Sequence, residues 1–491
     1  MSPDSRKTAA ILCAAGALVV AAVLLQRSAA SGGQAAGATS STDPETSTRV
    51  PASCDAPPGV GSRATARLGH GRAGGALSAG KILRGGGGQT FAAFDLAIDP
   101  VATGERQPLN LALVIDRSGS MRDEGKLDSA KQAALALIAR LGERDRIALI
   151  QYDDLAQVVV PSVKADAEGK AELTRAVGAM QPGGSTNLHG GMTLARDEVQ
   201  RTIAAGQVSR VILLSDGLAN AGESNPAVIT EAARMAADRG VRITSVGVGL
   251  DYNEDLMEAI AESGRGNYYY VRDATGLDQV LGGELSSAQA TVATQVELHL
   301  RPACAGVEIG EVFGYQARRE AGGVVVPLAD LFGGDSRRMI VALRVPDRAA
   351  GRQGAVHAEL RYRDVATGET RTTRLALALD VTDDQHAAQE SIDREVMAQV
   401  LKAQSAQSVR QAARAYEQGD AAGAGSILRS SQERLKGEGA RYNIAPAALA
   451  PAMDEMSGFA SEVQAAPAAS DEGKDAVKRR KTKARDLVKG K

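Results

Sequence analysis

The sequence has no tryptophan, and 9 tyrosines with 5 phenylalanines bring aromatics to only 3% of its 491 residues. A core of ordinary size must then be assembled from Ala, Val, Leu and Ile, which the 44% apolar content supplies. Cysteine is nearly absent. Cys13 lies in an apolar N-terminal run. Cys54 and Cys304 have neither C-x-x-C spacing nor a nearby His, which argues against a zinc site. They read equally well as a pair formed in an oxidising compartment and as two separate thiols. An excess of charge of either sign is missing too. The 57 Lys and Arg against 59 Asp and Glu leave −2, so the chain as a whole has no footprint for nucleic acid. His70, His189, His299, His357 and His386 show no ligand spacing, and no G-x-S-x-G elbow or Ser-His-Asp order is visible. These absences point to binding rather than catalysis.

Among the features present, Arg6 and Lys7 precede an apolar run from Thr8 to Leu25, whose 18 residues fall just short of the roughly 20 that span a bilayer. Ser28 and Ala30 suit signal cleavage. Residues 1–30 are therefore read as an export signal or a retained membrane anchor, and either takes the chain out of the cytoplasm, to the periplasm, cell envelope or beyond. Cys13 lacks the small preceding residue of a lipidation signal. Residues 31–60, rich in Ser, Gly, Ala, Thr and Pro, are read as a flexible linker.

From 109 to 288, short apolar runs alternate with helical patterns. Leu111–Ile115, Arg146–Tyr152, Gln157–Val160, Arg210–Leu214, Val241–Val248 and Asn267–Val271 read as strands. Helices are expected over Lys126–Leu141, Glu172–Met180, Asn187–Ala205, Pro226–Asp238, Glu254–Ser263 and Leu277–Ala288. This is the pattern of an α/β fold with a doubly wound, mostly parallel six-stranded sheet. Residues 61–108 and 289–383 alternate with period two, as in an antiparallel β-sandwich. Residues 384–437 read as a helical hairpin. Residues 438–491 read as a tail, basic at its end, where 474–491 hold nine Lys or Arg and two Asp. Gly69–Gly74 and Gly75–Lys81 mimic G-x-G-x-x-G and a P-loop, but neither has the preceding strand and following helix that phosphate binding needs. They are read as flexible turns.

Three pieces remain. Asp116-Arg117-Ser118-Gly119-Ser120 follows the first strand of the central region, Gly184-Ser185-Thr186-Asn187 precedes a helix, and Ser215-Asp216-Gly217 follows the fourth strand. In a sheet ordered 3-2-1-4-5-6, the first and fourth strands are neighbours at the topological switch point, so Asp116 and Asp216 should meet. Hydroxyls and carboxylates are hard donors suited to Mg²⁺, with Mn²⁺ or Ca²⁺ as alternatives. Arg117, Asp123, Asp153 and Asp154 sit where the rim would be and are read as solvated loop residues.

Together the pieces resemble the metal-ion-dependent adhesion site of von Willebrand factor type A domains. The stretches Leu109–Met121 and 182–188 are similar to bacterial envelope proteins of this class and to inter-alpha-trypsin inhibitor heavy chains. The resemblance implies that Ser118, Ser120 and Thr186 ligate a divalent ion directly while Asp116 and Asp216 act mainly through bound water. A partner protein's Asp or Glu would complete the shell. It also implies a central domain inserted in the sandwich. The expected function is adhesion or scaffolding in the cell envelope. An assembly or regulatory subunit of an ATPase-linked or metal-insertion machine is the alternative, and export weighs against it because such ATPases are cytoplasmic.

Overall fold

A computed structural model describes residues 54–101, 106–204, 206–346 and 350–490. The expected signal or anchor, Cys13 and most of the linker lie outside them. Among the described residues, no helix is long and apolar enough to cross a membrane.

Four strands come first: β1 (Arg63–Leu68), β2 (Gly71–Leu77), β3 (Lys81–Leu83) and β4 (Gln89–Ile98). The two glycine-rich decoys are therefore not flexible turns throughout, since Gly71, Gly74 and Gly75 lie within β2. At Gly71, with φ +151°, a Cβ would come within 2.1 Å of the Ala97 carbonyl oxygen. Glycine here serves close strand packing, not phosphate binding.

The chain then enters the central domain. Its elements are β5 (Leu109–Asp116), α1 (Lys126–Arg140), β6 (Arg146–Tyr152), β7 (Ala156–Lys164), α2 (Ala167–Ala179), α3 (Leu188–Arg201), β8 (Val208–Ser215), α4 (Pro226–Asp238), β9 (Val241–Val248), α5 (Glu254–Ser263), β10 (Arg265–Val271) and α6 (Leu277–Gln289). Side-chain caps start several helices: Asp166, Asn187, Asn225 and Asn253 each accept a hydrogen bond from the first turn. Asp166 explains why α2 begins earlier than its apolar pattern predicts. The sheet order is β10-β9-β8-β5-β6-β7, with β7 antiparallel to its neighbour. β5, β8 and β9 are buried along their whole length because helices cover both faces. α1, α2 and α6 pack on one face, and α3, α4 and α5 on the other.

The remaining strands are β11 (Thr291–Pro302), β12 (Glu308–Val312), β13 (Arg318–Glu320), β14 (Gly323–Pro327), β15 (Leu331–Phe332), β16 (Ser336–Arg344), β17 (Gly351–Asp364) and β18 (Thr370–Thr382). β4 pairs with β16 from Gln89–Arg344 to Ala97–Ser336, so a strand before the central domain is bonded to one after it. The insertion is real. A five-stranded sheet, β1-β2-β4-β16-β12, faces a seven-stranded one in which six strands run in the order β13-β14-β11-β17-β18-β3 and β15 pairs with β11 off that path. Phe94, Met339 and Val341 from the first share one core with Leu298, Val356 and Leu377 from the second. The sandwich departs from antiparallel pairing where β3 runs parallel to β18. Cys54 and Cys304 form a disulfide in this core. The Cys54 carbonyl also accepts a bond from the Gly354 N–H at 2.8 Å. Residues 54–60, expected as the end of a flexible linker, are thus tied to the sandwich at their first residue.

Helices α7 (Gln385–Glu390), α8 (Arg394–Glu417), α9 (Ala421–Arg441), α10 (Pro446–Ala465) and α11 (Asp471–Lys489) complete the chain. α7 lies against β3 and β18, while α8 to α11 form a layer on the outer face of the five-stranded sheet, where Ala93 and Ile340 meet Val396, Val400 and Phe459. Residues 438–491 are therefore no tail. α10 and α11 extend the expected hairpin, and α11 buries Ala476, Val477, Ala484 and Val488. Arg480 and Lys481 are buried as well, because carboxylates from other elements receive them, and Lys478 is buried with its ammonium donating to the Tyr252 carbonyl. The helix is amphipathic, but cations interleaved with its Ala/Val stripe read as a solvated face until the carboxylates that pair with them are in place.

Candidate metal centre

β5 and β8 are hydrogen-bonded neighbours, and the helices that follow them, α1 and α4, lie on opposite faces. The divergence opens a crevice at the strands' C-terminal ends. Asp116 ends β5, and Asp216 follows β8 directly. Both are fully buried. The Ser118 N–H donates to Asp116 Oδ1 at 2.8 Å, and the Ser215 hydroxyl donates to Asp116 Oδ2 at 2.9 Å. The Ser120 hydroxyl donates to Asp216 Oδ1 at 2.7 Å and lies 3.2 Å from the Ser118 hydroxyl. Burial pushes the Asp116 carboxyl up to about 6, opposed by the Ser118 and Ser215 bonds and reinforced by the nearby Asp216 charge.

Thr186 arrives on the loop before α3. Its N–H donates to Asn220 Oδ1 at 2.8 Å, and its carbonyl accepts from Asn220 and Ala221. Gly217 keeps the space between hydroxyls open: a Cβ there would lie 3.1 Å from Thr186 Oγ1 and 3.6 Å from Ser120 Oγ. The structure thus brings together Asp116, Ser118, Ser120, Thr186 and Asp216 from three separate stretches.

The supposed rim behaves differently from expectation. Arg117 pairs with Asp153, which is buried, and Asp154 Oδ1 accepts the Ser185 N–H at 2.9 Å. That bond holds the Asp154 carboxyl below the usual range. Gly183 and Gly184 permit both contacts, since a Cβ on either would sit 2.0 Å from the Asp153 or Asp154 carboxylate. Three of the four residues therefore fasten the Thr186 loop, Asp154 while remaining exposed, and the exposed Asp123 lies in the short 3-10 segment Gly119–Gly125. The sequence reading also missed Lys126. It belongs to the helical pattern of α1, yet its buried ammonium lies 3.0 Å from Asp216 Oδ2.

The donor set is chemically hard: hydroxyl and carboxylate oxygens, without thiolate or imidazole. Among the described residues, no three or more His, Cys, Asp or Glu gather as a metal-binding group. The crevice relies on two carboxylates and three hydroxyls instead.

Residues 110–282 match the sequence model of the von Willebrand factor type A domain. The chain contains a von Willebrand factor type A domain. It is 31% identical over 211 residues to the Escherichia coli protein YfbK, an alignment covering 43% of this chain and 36% of that protein. It is 30% identical over 197 residues to human inter-alpha-trypsin inhibitor heavy chain H3, covering 39% of this chain and 22% of that one. The chain thus spans about a third or less of these relatives' lengths. A solved structure named von Willebrand factor type A from Catenulispora acidiphila superposes with a TM-score of 0.63 at 17% identity, covering 84% of this chain and 91% of that chain. The type A fold is a protein-interaction domain, and this chain carries it within a sandwich and under a helical layer.

Proposed function

We propose that the type A domain binds a protein ligand through a divalent ion, and that the chain serves adhesion or scaffolding outside the cytoplasm rather than catalysis. The convergence of Ser118, Ser120 and Thr186 hydroxyls beside Asp116 and Asp216, around the space that Gly217 leaves free, carries this reading. The three hydroxyls would hold Mg²⁺ directly, with Asp116 and Asp216 as acceptors for its bound waters. The ion supplies an electrophilic point for a partner's Asp or Glu, and hydroxyl ligands leave its charge available for that contact. Asp116 and Asp216 are themselves fixed by Ser118, Ser215 and Ser120, so the donors are organised in advance. Export is supported by the Cys54–Cys304 disulfide, a bond that persists in oxidising compartments.

The test is a thermal melt of the wild type and Asp116→Ala with Mg²⁺ or EDTA. Mg²⁺ at one hundred times its dissociation constant should stabilise the wild type by about 2.7 kcal/mol and leave the variant unmoved. Equal shifts in both proteins, or none in either, would remove Asp116 from any metal site.

A further inference from the structure

Lys126 is the first residue of α1, and its side chain is only 9% exposed. A buried ammonium persists where an anion compensates it, and here that anion is Asp216 Oδ2 at 3.0 Å. The surroundings fix the choice. Gly249, with φ +78°, walls the ammonium in, since a Cβ there would lie 3.2 Å from both Lys126 Cε and Nζ. Asp251, which also feels the Lys126 charge, is engaged by Lys474 of α11 at 2.7 Å.

We propose that Lys126 is a fixed internal cation of the metal crevice, which loosens the hold on a divalent ion and leaves the loaded site one positive charge in excess. This rests on the metal reading above. The charges decide it. Counting Asp116 and Asp216 as carboxylates and Lys126 as an ammonium, the metal-free crevice carries a net charge of minus one. A divalent ion turns that to plus one, and a single carboxylate from a partner brings it to neutrality. Were Lys126 neutral, the loaded crevice would already balance, and an arriving carboxylate would gain less. The same ammonium repels the incoming ion and screens Asp216 while the ion is away. The metal-free domain therefore avoids two uncompensated carboxylates in one buried place.

The experiment is calorimetric titration of MgCl₂ into the full chain as wild type, Lys126→Met, Lys126→Gln and Lys126→Arg, with circular dichroism to verify folding. Gln guards against misfolding because its amide can still donate to Asp216. Both uncharged variants should bind Mg²⁺ at least tenfold more tightly than wild type, and Lys126→Arg should stay close to it. At matched ionic strength, acetate in place of chloride should tighten Mg²⁺ binding in the wild type more than in Lys126→Met. Wild-type binding with affinities within twofold in the uncharged variants, or an equal acetate effect, overturns the role of Lys126 alone. Loss of Mg²⁺ binding in wild type and variants alike overturns the metal reading with it. Binding confined to the uncharged variants supports the repulsion directly.

Discussion

Glu254, at the head of α5, buries both carboxyl oxygens without a hydrogen bond to either. Lys481 stands 3.8 Å away, close enough to attract but not to donate well. Burial pushes this carboxyl up to about 7, against the pull of Lys481 and Lys478. The consequence has a definite sign. Between its ordinary value of 4.5 and about 7, the folded chain holds a proton that the unfolded chain releases. Stability therefore falls as pH rises through that window, by roughly 3 kcal/mol in all. Glu254→Gln should flatten this part of the profile and raise the melting temperature at pH 8. Melting curves from pH 4 to 8 read both effects, and parallel profiles for variant and wild type would contradict the assignment. Asp145 is as deeply buried but fully served, by Arg106 at 2.6 and 2.7 Å and by the Leu109 and Gly142 N–H groups, and its carboxyl is held below the usual range. Hydrogen bonding, more than burial, separates the two acids.

At the scale of the element, α11 shows how a basic segment becomes interior structure. Lys478 donates to the Tyr252 carbonyl at 3.1 Å and stands 3.9 Å from that ring's centre. Asp475 accepts from the Tyr270 hydroxyl at 2.6 Å and from Arg272. Arg480 reaches Glu455 and Glu462 of α10. Lys481 meets Asp255 and Glu417 besides Glu254. The helix thus joins the type A domain to the helical layer with charge pairs at both sides. Lys481→Ala leaves several carboxylates near an emptied, buried position. It should cost about 3–5 kcal/mol, the usual penalty for breaking a buried pair from one side. The urea midpoint measures this, and a shift equivalent to less than about 1 kcal/mol would place Lys481 among weak surface pairs.

Across the whole molecule, the type A domain is held at the end of its sheet opposite the crevice. Arg242 donates to Asp330 at 2.7 Å, and Arg210 bonds Glu284 at 2.7 Å, with Thr244, Asn267 and Tyr269 closing round Glu284. Asp330 lies between β14 and β15 of the sandwich, so this buried network crosses the junction. The base is thereby fixed while the crevice end carries the loops that hold Ser118, Ser120 and Thr186. The disulfide acts on the same scale. It closes a loop of 250 residues that contains the entire inserted domain. Long loops lose the most entropy when cross-linked in the unfolded chain. Cys304→Ser should cost about 2–5 kcal/mol, and a reducing agent should lower the wild-type melt while leaving the variant unchanged. A wild-type melt indifferent to reductant would contradict this contribution.

The order of the central sheet, its insertion in a sandwich and the five residues of the crevice were legible in sequence. The sheet and the crevice rest on local patterns, namely apolar runs and short motifs at strand ends whose meeting follows from parallel topology, whereas the insertion was implied by the resemblance to type A proteins and fitted the period-two alternation on both sides. What the tertiary structure alone decided involves contacts between distant stretches. Lys126 reads as an ordinary helix residue until Asp216 is brought against it. Arg117 and Asp153 read as solvated until the Gly183-Gly184 backbone passes beside them, and Asp154 stays exposed while it holds the Ser185 N–H. Cys54 and Cys304 left pairing open because sequence carries no proximity between residues so far apart. The basic C-terminus looked like a tail because the carboxylates that neutralise it belong to α5, α8, α10 and the loop before α5. Periodicity records which face of an element is buried. Whether a charge can be buried depends on its partner, and only the folded chain supplies one.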